Sequence, residues 1–204
     1  MKSILITGGN GDIAKKLVRV LSEDYLVFSP LRSELDVSNS CSVEEYFNGK
    51  SFDIVINAAG TLYSSLVADS EPEQWINDIN VNLIGTYLVS RLAVQRNRNC
   101  LVINLASTAA FNHYKDWTSY CASKAGVVTF SKGMALDGYN VIILCPGAID
   151  TKLRGGLNII NNNIMTLDEA VAPVLDAISG LYHSGDIVFY RKGTISVNPP
   201  SDIW

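Results

Sequence analysis

The sequence predicts a doubly wound α/β fold, a parallel sheet with helices on both faces, in a single domain trimmed around its third strand. Three observations carry that reading. Apolar runs such as Ile4-Leu5-Ile6, Ile54-Val55-Ile56 and Val141-Ile142-Ile143-Leu144 alternate with amphipathic stretches, the signature of a parallel sheet covered on both faces. A glycine-rich turn joins the first run to the first helix. Between Ser29 and Asp36, after the second strand, the chain leaves too few residues for the crossover helix that parallel neighbours need.

Taken in order, residues 3–6 form the first strand, and Thr7-Gly8-Gly9-Asn10-Gly11-Asp12-Ile13-Ala14 turns the chain into a helix that ends near Leu21. Residues 26–29 are the second strand, 43–47 are helical and 53–56 form another buried strand. Between Ser29 and Asp36 either a third strand is vestigial or the chain passes over the sheet edge. A long helix spans 73–95, with Ile76, Ile79, Leu83, Tyr87 and Ala93 at roughly helical spacing. Strands at 101–105 and 140–144 flank a helix from Ser119 to about Leu136. A last helix covers 167–181 and a last strand 187–190. There is no internal repeat and no linker; Asn161-Asn162-Asn163 is the low-complexity patch, assigned to a mobile loop.

Composition narrows the function classes. A chain of 204 residues suits one domain with a sizeable core. Hydrophobic residues make up 48% and charged ones 18%, which excludes a disordered chain. The formal charge of −4 offers no footprint for nucleic acid. Met1-Lys2-Ser3 leads straight into a strand too short for a signal sequence or a membrane span. Cys41, Cys100, Cys121 and Cys145 are scattered without a Cys-x-x-Cys, and there are two histidines. Reduced thiols, a cytoplasmic location, no membrane partner and no metal site are therefore expected.

Two local patterns carry chemistry. Gly8 and Gly11 stand between strand and helix, where bare backbone N–H groups and the helix N-terminus can hold a pyrophosphate. Ala14, three residues on, lets helix and strand approach. Asp12 suits the helix start electrostatically, yet its carboxylate must point away from any phosphate. Farther along, Tyr120 and Lys124 are four residues apart on a helix, so both project from one face. An ammonium beside a phenol favours phenolate and so is expected to lower the pKa of Tyr120, a candidate proton donor.

Read together, these residues resemble the short-chain dehydrogenase/reductase family over most of the chain. The Thr-Gly loop stands as Thr7-Gly8-x-x-Gly11-x-x-Ala14, spaced like extended and atypical members; against the commonest spacing, Asp12 and Ala14 replace two glycines. The Asn-Ala-Gly signature stands as Asn57-Ala58-Ala59-Gly60, the helix asparagine as Asn82 in Val81-Asn82-Leu83-Ile84-Gly85, and the strand-end serine as Ser107, thirteen residues before Tyr120. Pro146-Gly147-Ala148-Ile149-Asp150-Thr151 matches the Pro-Gly segment. The resemblance implies a Rossmann-type fold and a carbonyl–alcohol oxidoreductase. It implies that Tyr120 exchanges the proton and Lys124 lowers its pKa and binds the nicotinamide ribose. Ser107 polarises the carbonyl, and Asn82 holds a water that links Lys124 to solvent.

By the same resemblance Gly8, Asn10, Gly11, Asp12 and Ile13 bind the dinucleotide phosphates, and Asn57, Ala58, Ala59 and Gly60 line it. Asp36-Val37 resembles the pair that contacts adenine, while Pro146, Gly147, Ile149 and Thr151 take the nicotinamide and phosphate side, with the Thr151 hydroxyl as a phosphate or carboxamide partner. About twenty residues beyond Gly8 no carboxylate appears to bind a ribose 2′-hydroxyl. Arg32 suits a 2′-phosphate instead, although Glu34 is close by, so NADP(H) is expected over NAD(H). Substrate would meet the segment 152–165, with Gly155-Gly156 as a hinge, and a rim of His113, Tyr114 and Trp117. A small carbonyl or alcohol compound is the expected partner, and a homodimer or homotetramer the expected assembly. The opposing readings are an idle dinucleotide-binding scaffold and a reductase of nucleotide-linked sugars.

Overall fold

The computed structural model describes residues 1–153, 161 and 163–199. Seven strands form one sheet in the order β2-β1-β3-β4-β5-β6-β7. They are β1 (Ser3–Ile6), β2 (Leu26–Phe28), β3 (Ile54–Asn57), β4 (Leu101–Leu105), β5 (Val141–Pro146), β6 (Ile187–Arg191) and β7 (Thr194–Val197). All neighbours are parallel except β6 and β7, which form an antiparallel hairpin. The helices are α1 (Asp12–Leu21), α2 (Ser40–Tyr46), α3 (Pro72–Ile79), α4 (Gly85–Arg96), α5 (Thr118–Leu136) and α6 (Leu167–Ser179).

The apolar runs are strands because both of their faces are covered. Ile4 and Ile6 of β1 pack with Leu17 and Leu21 of α1 and Val171 and Val174 of α6. Leu5, between them, points the other way, towards Val43 of α2 and Val89 of α4. The same alternation divides β5, whose Ile142 and Leu144 face α1 and α6 while Ile143 and Cys145 face α5. Helix α6 begins with a capping box: Thr166 accepts from the Glu169 N–H at 3.2 Å, and the Glu169 carboxylate accepts from the Thr166 N–H at 2.7 Å. It ends at Gly180, whose φ of 87° suits the left-handed conformation.

The expected trimming is present. Strand β2 closes one edge, and the chain runs from it to Asn39, the N-cap of α2, before crossing to β3 on the far side of β1. Two features differ from expectation. The strand at 187–190 is not the last, because Lys192 and Gly193 turn the chain into β7, whose residues are all exposed. Its apolar content is too low for a buried-strand pattern, so only pairing with β6 defines it. The long helix is also not uniform: a π-helical turn, Asn80–Ile84, separates α3 from α4. The Gly155-Gly156 hinge, Asn162 and most of the 152–165 segment lie outside the described residues.

A buried polar brace ties the sheet to the helices on one face. Asn57 of β3 donates to Ser90 of α4 at 3.0 Å and to Asn104 of β4 at 2.8 Å, and Asn104 donates to Ser131 of α5 at 2.8 Å. Asn104→Leu keeps the volume but leaves the Asn57 amide and the Ser131 hydroxyl short of partners. It is expected to cost about 2–4 kcal/mol, read from the midpoint of urea unfolding.

Candidate active site

The C-terminal ends of the strands surround a cavity of about 580 Å³. Of the residues singled out in the sequence, Asn10, Gly11, Asp12, Ile13, Ala58, Gly60, Ser107, Tyr120, Lys124, Pro146, Gly147, Ile149 and Thr151 line it, as do Tyr114 and Trp117 of the rim. His113 is exposed and stands outside the lining. Asp116 has a φ of 60°, a left-handed bend that aspartate tolerates. It lies between Tyr114 and Trp117, whose rings are 5.1 Å apart, and Trp117 in turn meets the Tyr120 ring edge-on at 6.0 Å.

At the glycine turn, Gly8 has a φ of 75° and packs so closely that a Cβ there would lie 2.8 Å from the Ala59 Cα. Thr7 Oγ1 accepts from the Ala58 and Ala59 N–H groups at 3.0 and 3.1 Å, binding the turn to the end of β3. Gly11 begins α1 with no side-chain cap, so the first N–H groups of the helix face the cavity end without a competing acceptor. The Asp12 carboxylate is turned aside and accepts the Lys152 backbone N–H at 2.7 Å. Its charge is thereby held off the turn, as the sequence required.

At the adenine end of the expected site, Arg32 is largely exposed and its Nε donates to Asp36 at 3.1 Å. Burial pushes the Asp36 carboxyl up, but hydrogen bonds from Ser38 and Arg32 outweigh it and hold the group below the usual carboxylate range. The Val37 side chain is buried, and a Cβ on Gly85 would lie 2.7 Å from its Cγ2. Sequence reasoning missed Ser29. Its hydroxyl, just after β2, is buried without a hydrogen-bond partner among the described residues, and a Cβ on Gly9 would lie 2.3 Å from the Ser29 carbonyl oxygen. An orphaned hydroxyl beside bare backbone suits a ribose or phosphate oxygen. These features and the uncapped α1 fit a dinucleotide.

Lys124 is 6% exposed and its Nζ donates to the Leu105 carbonyl at 2.8 Å. Burial pulls its pKa down to about 8. Tyr120 keeps some surface open to the cavity, yet protein packs densely around it. Burial pushes the phenol up to about 12, against a side-chain hydrogen bond with Ser107 and with a smaller push from the Asp78 carboxylate. The lowered Tyr120 pKa expected from the Tyr/Lys spacing is therefore absent in this state. The ammonium is turned to Leu105, 5.6 Å from the phenol ring centre, and desolvation outweighs its attraction. Ser107 accepts from the Ala109 N–H at 3.1 Å and reaches the Pro146 carbonyl at 3.4 Å.

Asn82 lies in the π-helical turn, fully buried. Its amide donates to the Thr61 carbonyl at 2.9 Å and to Ser123 at 3.0 Å, and its oxygen accepts the Thr61 N–H at 2.8 Å. The side chain thus locks the turn to the strand-end loop and to α5, and both amide hydrogens are in use. One turn earlier stands Asp78, which sequence reasoning missed. It is buried and accepts from Thr61 Oγ1 at 2.7 Å, the Tyr63 N–H at 2.9 Å and Ser119 Oγ at 2.7 Å. Its position four residues before Asn82, on the same helix face, was the available signal. Asn57 does not line the cavity; its side chain belongs to the brace described above.

Residues 32–161 match the sequence profile described as short chain dehydrogenase. The chain belongs to the short-chain dehydrogenase family. An uncharacterized oxidoreductase of Staphylococcus aureus strain USA300 is 29% identical over 194 residues, covering 88% of this chain and 81% of the relative. A 3-oxoacyl-(acyl-carrier-protein) reductase of Chlamydia trachomatis is 27% identical over 167 residues, covering 76% and 67%. Among solved structures, a small-chain dehydrogenase in complex with NADPH superposes with a TM-score of 0.85 at 20% identity, covering 94% of this chain and 97% of the other. A 4-hydroxyisoleucine dehydrogenase complexed with NADH gives 0.83 at 22% identity, covering 95% and 98%. The shared fold is the Rossmann type, and this family member is an oxidoreductase. Among the described residues, no helix is long and apolar enough to cross a membrane, and no group of three acids, cysteines or histidines is placed to hold a metal.

The Lys124 assignment has a direct check. The folded protein releases this proton more readily than the unfolded chain, whose lysine titrates near 10.5. Between those two values the unfolded chain binds more protons, so Lys124 adds stability as pH rises from about 8 towards 10.5. Carbon-13 NMR of labelled lysine is expected to give Lys124 a midpoint near 8 in the cofactor-free protein. Against wild type, Lys124→Met should lose the rise in stability over that interval.

Proposed function

We propose that this protein uses NADP(H) to interconvert a carbonyl and an alcohol on a small molecule, with Tyr120 as general acid and base. The observation that carries the reading is the convergence of Ser107, Tyr120 and Lys124 on one cavity that Asn10 and Gly11 of the glycine turn also line. The nicotinamide, when bound, supplies or accepts hydride at C4. Ser107 holds the substrate oxygen, and the Tyr120 hydroxyl gives or takes its proton. A phenol near 12 is protonated at neutral pH, which readies it to donate to a carbonyl oxygen. Lys124 uses one of its three N–H donors on Leu105 and offers the others to ribose hydroxyls.

Its partly charged ammonium, brought closer by such contacts, would pull the Tyr120 pKa back towards the working range. Asn82 fixes the helix turn beside this pair and leaves its own carbonyl to Thr86 at 2.7 Å; a water relay through it is part of the proposal. At the far end, the orphaned Ser29 hydroxyl and the exposed Arg32 guanidinium support a 2′-phosphate and so NADP(H) over NAD(H). A homo-oligomer is proposed through α4 and α5, where Tyr87 and Phe130 meet at 5.9 Å and Ile84 and Tyr87 remain exposed.

Tyr120→Phe should lower turnover roughly a hundred- to ten-thousandfold while dinucleotide affinity stays within a few fold; wild-type turnover would remove Tyr120 from the chemistry. Arg32→Ala should weaken NADPH by about ten- to a hundredfold and leave NADH nearly unchanged, measured by fluorescence titration. Equal effects on both would return Arg32 to the solvated surface.

A further inference from the structure

Two cationic side chains that line the cavity, Lys152 and Arg191, have no role in the account so far; Arg191 is the one held at a strand end. Arg191 ends β6 and lines the cavity with Ser107, Tyr120 and Lys124. Side chains alternate along a strand, and the neighbouring Tyr190 is buried on the opposite face, its hydroxyl donating to the Ala170 carbonyl of α6 at 3.0 Å. Arg191 therefore shares the α5 face with Phe189, two residues back, which packs against Phe111 and the apolar cluster under α5.

Its stem is positioned by bare backbone. Gly147 donates to the Tyr190 carbonyl at 2.7 Å, and a Cβ on Gly147 would lie 2.8 Å from the Arg191 Cγ. The guanidinium sits over the Phe189 ring, 5.2 Å from its centre. Among the described residues it has no ion pair or hydrogen-bond partner. Asp12, the one acidic residue lining the cavity among the described residues, is already committed to the Lys152 N–H.

Location separates this cation from the glycine turn. The glycine turn follows β1, four strand positions from β6, a separation of about 19 Å at ~4.8 Å per step. Ser107 follows β4, two positions away, or about 10 Å. Arg191 thus stands beyond the reacting oxygen, on the side away from the glycine turn. A planar guanidinium matches a carboxylate with two parallel hydrogen bonds.

We propose that Arg191 binds a carboxylate on the substrate, so that the favoured substrates are small oxo acids or hydroxy acids in which a short carbon chain separates carboxylate from reacting carbon. This rests on the oxidoreductase reading for its chemistry, but the carboxylate site can be tested without turnover. Butyrate and butyramide share a skeleton and differ in charge. In calorimetric titrations of the protein with and without NADP⁺, wild type should bind butyrate about tenfold tighter than butyramide. Arg191→Met, which keeps the stem, should bind the two alike.

In the wild-type protein, butyrate and not butyramide should shift the Arg191 Nε–H signal by NMR, a result that does not depend on any variant folding. Equal wild-type affinities, a preference that survives Arg191→Met, or an unmoved Nε–H signal would overturn the site. Activity then separates the two claims: levulinate should be reduced with lower KM than its methyl ester, and Arg191→Met should erase the difference. Reduction of neither while the butyrate preference holds would sink the proposed carbonyl–alcohol chemistry on such acids and leave the carboxylate site standing.

Discussion

An ammonium group buried at the end of a parallel sheet is the constraint on which this site depends. Removing Lys124 from water disfavours its charge, and the Leu105 carbonyl answers one of its three donors. The remaining donors point to what the site is built to receive. The same desolvation acts on Tyr120, so the pair is held away from its ordinary titration range in opposite directions: the phenol up, the lysine down. A bound partner that supplies hydroxyls to Lys124 would relieve the first cost and draw the two residues into one proton-transfer unit. The cavity is poised for a ligand by what it leaves unsatisfied.

Holding such a pair in place requires a stiff support, and the structure supplies it with buried polar side chains that have their partners. Asp78, Asn82, Thr61, Ser119 and Ser123 join α3, the π-helical turn, the loop after β3 and the start of α5. Asn57, Asn104, Ser90 and Ser131 do the same one layer deeper, between the sheet and α4 and α5. Satisfied networks of this kind fix one arrangement where an apolar core tolerates several. Helix α5, which carries Tyr120 and Lys124, is thus anchored at its N-terminal turn and again farther along.

Much of this was legible in the sequence because the signals were local. Runs buried on both faces identify parallel strands, and the shortage of residues after Ser29 foretells the trimmed edge. Tyr120, Lys124, Ser107 and the glycine turn were placed by spacing and by resemblance, and the fold brings them to one cavity. What escaped was set by tertiary contacts. Strand β7 has an exposed, mixed pattern and exists by pairing with β6. The π-helical turn follows from Asn82 reaching across to Thr61, more than twenty positions upstream in chain order. Asp78, Ser29 and the brace role of Asn57 depend on partners distant in sequence. The Tyr120 pKa could not be read from the Tyr/Lys spacing, since burial reverses the direction that spacing suggests.

The central claim is a working dinucleotide site at the ends of β1, β3 and β4. Trp117 lines the cavity, so energy transfer from its indole to bound nicotinamide reports occupancy directly. Titration of the purified protein with NADPH and separately with NADH is the measurement to make. Saturable transfer with both, tighter for NADPH, is the predicted result. No transfer and no nicotinamide enhancement with either would contradict the account, leaving the folded site without the ligand its unsatisfied groups are read to hold.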